Sequence, residues 1–419
     1  MKVLLLGSGG REHALAHAIK KSPKLSELYI APGNAGMALE GSLVDLDILD
    51  SHALIHFAQE KAIDLVVIGP EAPLVAGVAD DLRAAGIACF GPSKEGAQLE
   101  GSKKFAKEFM SDCGIPTAAY GAFCEANPAH DFIDKHPGAL VVKADGLAAG
   151  KGVYVCSKSQ EAHDAVDEIF SGKFGSAGKE IIIEEFLEGR ECSFLVLRDE
   201  SGFRTLPLSQ DHKKIGEGDT GPNTGGMGVY SPSDVSDKEY QEMFDIAQQT
   251  HQGLIDKHID FRGVIYLGFM LCEDGPKVLE YNARFGDPET QAILPRIDSD
   301  VLEHLSAVAH NNLSESPLQV SKDASFCVIL ASKGYPGSYE KGKEITGIDE
   351  ANKVEGVYVY HAGTKREDQK VLTNGGRVLA VCAKASNLSK AADKAYEAVE
   401  LIDFEGKYYR RDIGYQVLK

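Results

Sequence analysis

A glycine-rich segment at residues 140–155 places the strongest constraint on how this chain folds. Two short apolar runs flank a loop that contains three glycines: Gly146, Gly150 and Gly152. Two such runs around a glycine-rich loop predict a β-hairpin. Glycines let backbone N–H groups approach phosphate oxygens, and Lys143 and Lys151 supply the opposing charge. The segment therefore predicts a loop that covers phosphates, with a tight turn bearing exposed lysines as the alternative.

The spacing excludes a Walker A loop, whose pattern is G-x-x-x-x-G-K-[ST]. Only three residues separate Gly146 from Gly150, and Gly152 stands where Ser or Thr would be required. A strand pattern rather than a helix follows the loop. If this hairpin binds a nucleotide, it belongs to another class of nucleotide site.

The bulk composition narrows the function classes. At 419 residues the chain is long enough for two to four domains. A formal charge of −19 argues against general affinity for nucleic acids or acidic membranes. The eight cysteines are scattered without a CxxC pair, so we expect reduced thiols and no zinc site. Without a signal-peptide or membrane-length apolar pattern, the sequence predicts a cytoplasmic protein, and we expect a monomer.

Residues 1–102 alternate buried-strand and helix patterns, which predicts a doubly wound parallel sheet. The first strand pattern runs directly into Gly7-Ser-Gly-Gly10 and a helix, an order that suits an anion. The dinucleotide fingerprint G-x-G-x-x-G fails because Glu12 stands at its last glycine. Two further loops, at residues 31–36 and 68–73, follow strands in the same way. We interpret the three loops as one small-molecule site, with ordinary βα turns as the alternative.

Residues 103–325 carry the motifs of a nucleotide site. Ser102 is a plausible N-cap for a helix that begins at Lys103. Residues 118–192 form a small α/β unit, which we predict to be a mobile lid. A buried strand within this unit ends in four residues whose backbone could bond an adenine edge: Glu184, Glu185, Phe186 and Leu187. Glu191 follows and offers a carboxylate to ribose hydroxyls. The alternative interpretation is a solvated acidic turn.

A second group of polar residues ends the strand at residues 277–282, which is predicted to pair with a strand at residues 263–271. Glu280 and Asn282 are two positions apart, so their side chains share one face of the strand. Such a pair offers two oxygen ligands to a hard cation such as Mg²⁺. Arg284 follows and could meet an oxyanion bidentately. The polar, glycine-rich segment at residues 210–230 is predicted to be a long loop that is either functional or disordered.

Residues 326–419 read as a small α+β unit with three strands and one amphipathic helix. Within it, residues 373–377 form a turn with Arg377 at the entrance of a strand. Arg377 is either a phosphate contact or an exposed residue at a hairpin tip.

Taken together, the glycine hairpin with Lys143, the Lys103 helix, the Glu184 segment and Glu280-x-Asn282 resemble the ATP-grasp superfamily. More closely, the chain resembles the phosphoribosylamine–glycine ligase family of purine biosynthesis. The resemblance covers essentially the whole chain and rests on ordered pieces: VLLLGSGGREHAL, APGNAG, IGPEAPL, KADGLAAGKGV, DHKKIGEGDTGPNTGGMG, EYNARFGDPETQ, HAGT, NGGRVLAV and YRRDIG. It implies an ATP-grasp core at residues 103–325 between the two other domains.

The resemblance also implies a reaction and a set of residue roles. Glycine carboxylate would attack the γ-phosphate of ATP, and 5-phosphoribosylamine would displace phosphate from glycyl phosphate, so catalysis would consist of positioning and charge neutralisation. Lys143, Arg284 and Asp287 would be catalytic. ATP would be held by Lys103, Lys143, Gly150, Lys151, Gly152, Glu184, Glu185, Phe186, Leu187 and Glu191. Mg²⁺ or Mn²⁺ would be held by Glu280 and Asn282. The small-molecule substrates would be held by Gly9, Gly10, Arg11, Glu71, Asp211, Asn223, Thr224, Gly225, Arg284, Asp287 and Arg377.

Three other readings remain open at this level. Another ATP-grasp purine ligase or carboxylase is disfavoured by the 209–230 loop and the GREHAL opening. A nucleotide-binding regulator without turnover would leave Glu280 and Asn282 without a purpose. An NAD-binding protein is disfavoured by Glu12. Many ATP-grasp proteins carry a further metal carboxylate on the preceding strand, near Gly268 here, so the number of metal ions stays undecided.

Overall fold

The structure is a computed structural model that describes residues 1–146 and 152–418. Gly150 and Lys151, two residues of the predicted phosphate loop, lie outside the described residues. Within the described ranges, every helix is too short or too polar to cross a membrane.

The N-terminal segment forms the predicted doubly wound sheet. Its strands are β1 (Lys2–Gly7), β2 (Glu27–Pro32), β3 (Ser42–Leu43), β4 (Leu65–Ile68) and β5 (Cys89–Phe90), and its helices are α1 (Gly10–Lys20), α2 (Ser51–Lys61), α3 (Glu71–Ala76) and α4 (Val78–Ala84). All pairings are parallel, in the order β3-β2-β1-β4-β5. Alternate residues of β1 enter two different hydrophobic cores, which explains its continuous apolar run.

The next segment contains two helices and a small antiparallel sheet with helices of its own. The elements are α5 (Gln98–Gly101), α6 (Lys103–Asp112), β6 (Tyr120–Phe123), α7 (Ala126–Lys135), β7 (Leu140–Ala144), β8 (Val153–Cys156), α8 (Ser159–Glu168) and β9 (Ile181–Glu185). The hydroxyl of Ser102 accepts a hydrogen bond from the Phe105 N–H at 3.1 Å, so the predicted N-cap is confirmed. β7 pairs antiparallel with β8, with Lys143 opposite Val153, which confirms the predicted hairpin.

A second antiparallel sheet lies beside this unit. It contains β10 (Arg190–Asp199), β11 (Gly202–Thr205), β16 (Gly263–Cys272) and β17 (Gly275–Asn282), in the order β11-β10-β16-β17. The predicted pairing of the last two strands is confirmed. A bulge near Gly268 places Glu280 opposite that glycine and Asn282 opposite Tyr266. The 20-residue helix α9 (Asp237–Asp256) buries one face beneath the sheet.

The segment predicted to be a long loop, residues 210–230, contains four short strands, the last of which extends to Ser231. They are β12 (Gln210–Asp211), β13 (Lys214–Gly216), β14 (Thr220–Asn223) and β15 (Gly228–Ser231). β13 and β14 form a hairpin, and β12 and β15 extend the sheet of the C-terminal segment. Short polar strands of this kind carry no period-2 apolar pattern, which is why the sequence pattern indicated a loop.

Two helices, α10 (Glu289–Ile293) and α11 (Val301–Ala309), precede the C-terminal α+β unit. The elements of that unit are β18 (Ala324–Ser332), β19 (Glu344–Ile345), α12 (Ile348–Ala351), β20 (Val357–His361), β21 (Thr364–Glu367), β22 (Lys370–Thr373), β23 (Arg377–Ala385), α13 (Leu388–Leu401) and β24 (Lys407–Tyr408). The main sheet runs β12-β15-β18-β23-β20, and β24 pairs with β18. Because β22 and β23 belong to different sheets, residues 373–377 are not a hairpin tip.

One hydrophobic core joins the three predicted regions. Leu5 from β1, Leu197 from β10 and Ile329 from β18 are all buried in the same cluster. Burial of apolar surface at about 25 cal/mol per Å² makes such a shared core a strong constraint on relative position. The loops of the N-terminal sheet therefore face fixed partners from the rest of the chain.

Candidate active site

A buried carboxylate between two lysines marks the first part of the site. Glu184 is 2% exposed. Lys143 on β7 lies 2.9 Å from its carboxylate, and Lys107 on α6 lies 3.4 Å away. Lys143 also donates to the backbone carbonyl of Leu279 on β17 at 3.4 Å, which connects the small sheet to the larger one. The pairing fixes both ammonium groups at the base of the cleft between the two sheets.

The start of the glycine loop is fastened to the N-terminus of α6. Asp145 accepts hydrogen bonds from the Ser102 hydroxyl at 3.1 Å and the Lys104 N–H at 2.7 Å. Lys103 donates to the Gly146 carbonyl at 3.5 Å. Burial lowers the pKa of Lys103, although Glu280 opposes the shift. The negative charge and the hydrogen bonds of a phosphate at this position would compensate for the water that the ammonium group loses on burial.

The segment predicted to bond adenine has two of its N–H groups already in use. Glu185 donates its N–H to the Ala119 carbonyl at 3.0 Å, and Phe186 donates to the Ala139 carbonyl at 3.3 Å. Among the described residues, the Leu187 N–H has no such partner. The Phe186 side chain is 40% exposed, whereas Leu187 is 7% exposed. An exposed ring beside a vacant N–H suits the flat face and the edge of a base.

Three lysines surround the Glu280 carboxylate. Burial opposes ionisation, but Lys213, Lys143 and Lys103 together lower the pKa of Glu280 to about 2. The Glu280 side chain keeps 40% of its surface exposed. Lys213 lies 3.4 Å from Glu280 and 3.6 Å from Glu191, and these carboxylates raise its pKa against the effect of burial.

The donor set at the end of β17 fits a divalent hard cation. Glu280 is ionised, and Asn282 places a second oxygen on the same face of the strand. The amide oxygen of Asn282 accepts a 3.3 Å hydrogen bond from Arg284. Within the described residues, three or more His, Cys, Asp or Glu side chains never converge in a metal-binding cluster. The pair therefore fits a cation that keeps waters or phosphate oxygens as its other ligands.

Arg284 is held by two acids from the N-terminal half of the chain. Its guanidinium lies 2.7 Å from Glu100 and 3.3 Å from Glu71. The two carboxylates raise the pKa of Arg284 against the effect of burial. Burial raises the pKa of Glu100, whereas Arg284 and Arg11 lower that of Glu71 against burial. The structure thus brings two predicted substrate residues, Glu71 and Arg284, into direct contact.

Asp287 is the centre of a second group of predicted substrate residues. Its carboxylate accepts a 3.2 Å hydrogen bond from the Arg11 N–H and lies 3.3 Å from Arg377. Burial opposes ionisation, but Arg377 and Arg11 lower the pKa of Asp287. Arg377 also donates to the carbonyls of Gly225 and Asp287. The arginine predicted to contact phosphate is therefore engaged in joining three chain segments.

The position of the Glu12 side chain explains why glycine is required in and beside the loop after β1. Its carboxylate accepts a 2.7 Å hydrogen bond from the Gly9 N–H and also bonds the Arg11 guanidinium. A Cβ on Gly7 or Gly69 would come within 2.4 Å of the Glu12 side chain, so only glycine fits at these two positions. The residue that breaks the dinucleotide fingerprint therefore accepts a hydrogen bond from the glycine loop itself. Gly10 packs beside the amide of Gln291, within the same cluster.

The ends of the β13–β14 hairpin enter the same region. Burial and the neighbouring Glu289 carboxylate raise the pKa of Asp211 well above its usual value. Glu289 accepts hydrogen bonds from Ser193 at 3.3 Å and Tyr266 at 3.2 Å. Thr224 donates to the Lys213 carbonyl at 2.8 Å, which closes the base of the hairpin. Asn223 pairs with Lys214 at its end.

Sequence reasoning missed four charged residues of the site: Lys107, Lys213, Glu100 and Glu289. Lys107 follows Lys103 by four residues, so helical periodicity placed it on the same face as a predicted phosphate ligand. Lys213 lies inside the DHKKIGEG segment that was singled out as a whole. Glu289 lies inside the EYNARFGDPETQ piece. Glu100 carries no local signal, because only the fold brings it to Arg284.

The buried position of Lys107 leads to a prediction about pH. Burial lowers the pKa of Lys107 to about 8, although Glu184 opposes the shift. As the pH rises through 8, Lys107 loses its proton and Glu184 loses one of its two positive partners. We expect ATP binding to weaken about threefold between pH 7.0 and 9.0, and Lys107→Met to remove this part of the dependence. Titration calorimetry with ATP at several pH values measures it.

Burial also lowers the pKa of Lys103. The comparison of wild type with Lys107→Met therefore isolates the contribution of Lys107. Lys135→Met on the exposed face of α7 is the matched control and should retain the wild-type profile. Equal slopes for wild type and Lys107→Met would contradict this role.

Three family models match almost the whole chain. They are the Phosphoribosylglycinamide synthetase N domain at residues 1–100, the Phosphoribosylglycinamide synthetase ATP-grasp (A) domain at residues 101–290, and the Phosphoribosylglycinamide synthetase C domain at residues 325–416.

Curated relatives and solved structures agree with these matches. The chain is 51% identical to a phosphoribosylamine–glycine ligase of Agrobacterium fabrum, over 100% of this chain and 99% of the relative. It is 48% identical to the trifunctional purine biosynthetic protein adenosine-3 of Gallus gallus, over 100% of this chain and 42% of that protein. The crystal structure of phosphoribosylamine–glycine ligase from Thermotoga maritima superposes with a TM-score of 0.87 at 34% identity, covering 98% of this chain and 100% of that one. A biotin carboxylase structure from Campylobacter jejuni, at 14% identity and a TM-score of 0.73 over 97% of this chain and 92% of that one, shares the fold alone.

Proposed function

The chain belongs to the phosphoribosylglycinamide synthetase family, and on that premise we propose that it joins glycine to 5-phosphoribosylamine. ATP is split to ADP and phosphate, and the product is glycinamide ribonucleotide, an intermediate of purine biosynthesis. The relatives named phosphoribosylamine–glycine ligase span the whole chain, which supports this activity. The chain is thus an ATP-dependent ligase of the ATP-grasp family.

The chemistry has two steps in our proposal. A carboxylate oxygen of glycine attacks the γ-phosphorus of ATP, and ADP leaves with the electrons of the broken P–O bond. The amine nitrogen of phosphoribosylamine then attacks the carbonyl carbon of glycyl phosphate. Phosphate leaves, and the amine loses a proton to form the amide. Phosphate is a far better leaving group than the oxygen of a carboxylate, which is the reason for the first step.

The residues of the site would supply positioning and charge. Lys103 and Lys143 would lie against the ATP phosphates, and Leu187 would donate its N–H to the adenine edge. A divalent cation held by Glu280 and Asn282 would neutralise charge on the phosphoryl group. Electrostatic positioning of this kind typically contributes the largest part of the catalysis of phosphoryl transfer. We propose Arg284, Asp287, Asp211 and Thr224 for glycine and the reacting amine.

The observation that carries the proposal is the position of Lys213, 3.4 Å from Glu280, and of Lys143, which donates to the carbonyl of the preceding residue Leu279 at 3.4 Å. Lys103 adds a third positive charge that helps to lower the pKa of Glu280. Three ammonium groups from separate segments of the chain form a site for a polyanion, and an ionised carboxylate beside them retains a place for a cation. A non-catalytic nucleotide binder gains nothing from this combination. Neither does a protein that binds a nucleotide without a metal.

Turnover should require every component of the reaction. We expect ADP release with ATP, a divalent cation, glycine and freshly made phosphoribosylamine, and no release when any one is omitted. Mass spectrometry should detect the amide product. ATP binding without turnover in the complete mixture would contradict the proposal and support the regulator reading.

Several finer assignments also belong to the proposal. We propose that either Mg²⁺ or Mn²⁺ supports the reaction and that the protein acts as a cytoplasmic monomer without nucleic-acid partners. The mobile lid at residues 118–192 and the domain limits at residues 102 and 325 stay predictions.

A further inference from the structure

The C-terminal end of the chain contacts a hairpin at one edge of the site, along the whole length of that hairpin. We define the substrate hairpin as residues 211–225, which contain β13 and β14, and the C-terminal segment as residues 408–416. The sequence YRRDIG within this segment was singled out by the resemblance, but no step of the proposed reaction uses it.

Arg410 is the centre of this contact. It is 0% exposed, and its guanidinium lies 2.7 Å from Asp219 on the hairpin and 2.8 Å from Asp412 on its own segment. It also donates to the Lys214 carbonyl at 3.1 Å. A fully buried arginine with these acceptors is costly to remove, because two carboxylates would then lose their shared partner.

Further hydrogen bonds extend the contact in both directions. Tyr408 donates its hydroxyl to the Ile215 carbonyl at 2.7 Å, and the Gly218 N–H donates to Asp412 at 2.7 Å. Tyr415 donates to Asp219 at 2.9 Å. His212 contacts Gln416 at 3.1 Å. The C-terminal segment therefore contacts the hairpin from its base to its turn.

The hairpin is fixed at its two ends, by the pairing of Asp211 with Val229 and by the hydrogen bond from Arg377 to Gly225, but its strands have little other support. Among the described residues, β13 and β14 pair only with each other, and an isolated two-stranded hairpin is marginally stable in water. Asp219 at its turn has a φ of 55°, in the left-handed region that side chains disfavour. Hydrogen bonds from Arg410 and Tyr415 to the Asp219 carboxylate support this backbone conformation.

The base of the hairpin carries Asp211 and Thr224, two of the residues proposed to meet glycine and the reacting amine. Lys213 extends from it to Glu191 and Glu280, and Thr224 closes it. We propose that Arg410 is a positioning residue, which orders the substrate hairpin through Asp219 and thereby sets the affinity for the small substrates. The identity of the substrates in this inference rests on the proposed function, but the contact between Arg410 and the hairpin does not.

Arg410→Met removes the guanidinium and keeps most of the apolar stem. We expect the KM for glycine or for phosphoribosylamine to rise at least tenfold. The Kd for ATP, measured without a divalent cation, should rise by a smaller factor, about threefold, because Lys213 extends from the hairpin to Glu280. Trypsin should cleave after Lys213 and Lys214 at least fivefold faster. A purely structural role would weaken ATP binding as much as substrate binding.

Arg411→Met is the matched control, because the Arg411 side chain is exposed and lies over the ring of Tyr409. It should leave all these quantities unchanged. Asp219→Asn removes the negative charge that pairs with Arg410, and Tyr408→Phe removes one hydrogen bond. Both should give smaller changes in the same direction, and they carry the test if Arg410→Met does not fold.

Unchanged KM values and unchanged cleavage in the folded variants would overturn the proposal, and so would equal losses for ATP and the substrates. If the wild-type protein fails to turn over, the proposed function fails, whereas faster trypsin cleavage in Arg410→Met would still support the contact.

Discussion

Replacing Glu280 with glutamine should reduce kcat by about a thousandfold, or ~4 kcal/mol of transition-state stabilisation. The carboxylate is ionised, with a pKa lowered to about 2 by three lysines against burial, and it shares a strand face with Asn282. Glutamine keeps the shape but removes the charge that would hold a divalent cation. Raising the cation concentration should therefore restore part of the rate.

The measurement is steady-state ADP release at several cation concentrations, with thermal unfolding as a check on the fold. Glu273→Gln, in the exposed turn that precedes β17, is the matched control and should behave as wild type. A Glu280→Gln enzyme within threefold of the wild-type rate would remove Glu280 from the proposed metal site.

Replacing Lys143 with methionine should lower kcat/KM for ATP by a similar factor of about 10³, or ~4 kcal/mol. Its ammonium group lies 2.9 Å from Glu184 and 3.4 Å from the Leu279 carbonyl, so it connects the two sheets that border the cleft. Methionine removes the charge proposed to oppose the phosphates and also leaves Glu184 with Lys107 as its one close lysine. Lys143→Arg should recover part of the loss, because the charge returns in a different shape.

Initial rates over a range of ATP concentrations separate kcat from KM for these variants. Lys158→Met, an exposed lysine just beyond β8, is the control in the same unit. If Lys143→Met changed the KM for glycine but left that for ATP unaltered, Lys143 would have to be assigned to the other side of the cleft.

The sequence by itself determined the local elements of the site. The β7–β8 hairpin, the Ser102 cap and the β16–β17 pairing all follow from runs of apolar residues and from glycine or capping positions, which act over a few residues. The spacing of Glu280 and Asn282 is a property of any strand. The resemblance to a family, which the family models confirm, came from the order of such pieces along the chain.

The tertiary structure alone decided which charges meet. Arg284 is held between Glu71 and Glu100, Glu184 between Lys107 and Lys143, and Asp219 by Arg410, 191 residues further along the chain. None of these pairings has a sequence period, because each joins segments that are far apart in the chain and that only tertiary packing brings together.

The segment at residues 210–231 shows the same limit. Its polar, glycine-rich pattern indicated a loop, but two of its strands pair in the C-terminal sheet and two form the substrate hairpin. Strand formation there depends on hydrogen bonds to partners far away in the chain, and local propensity carries little information about such partners.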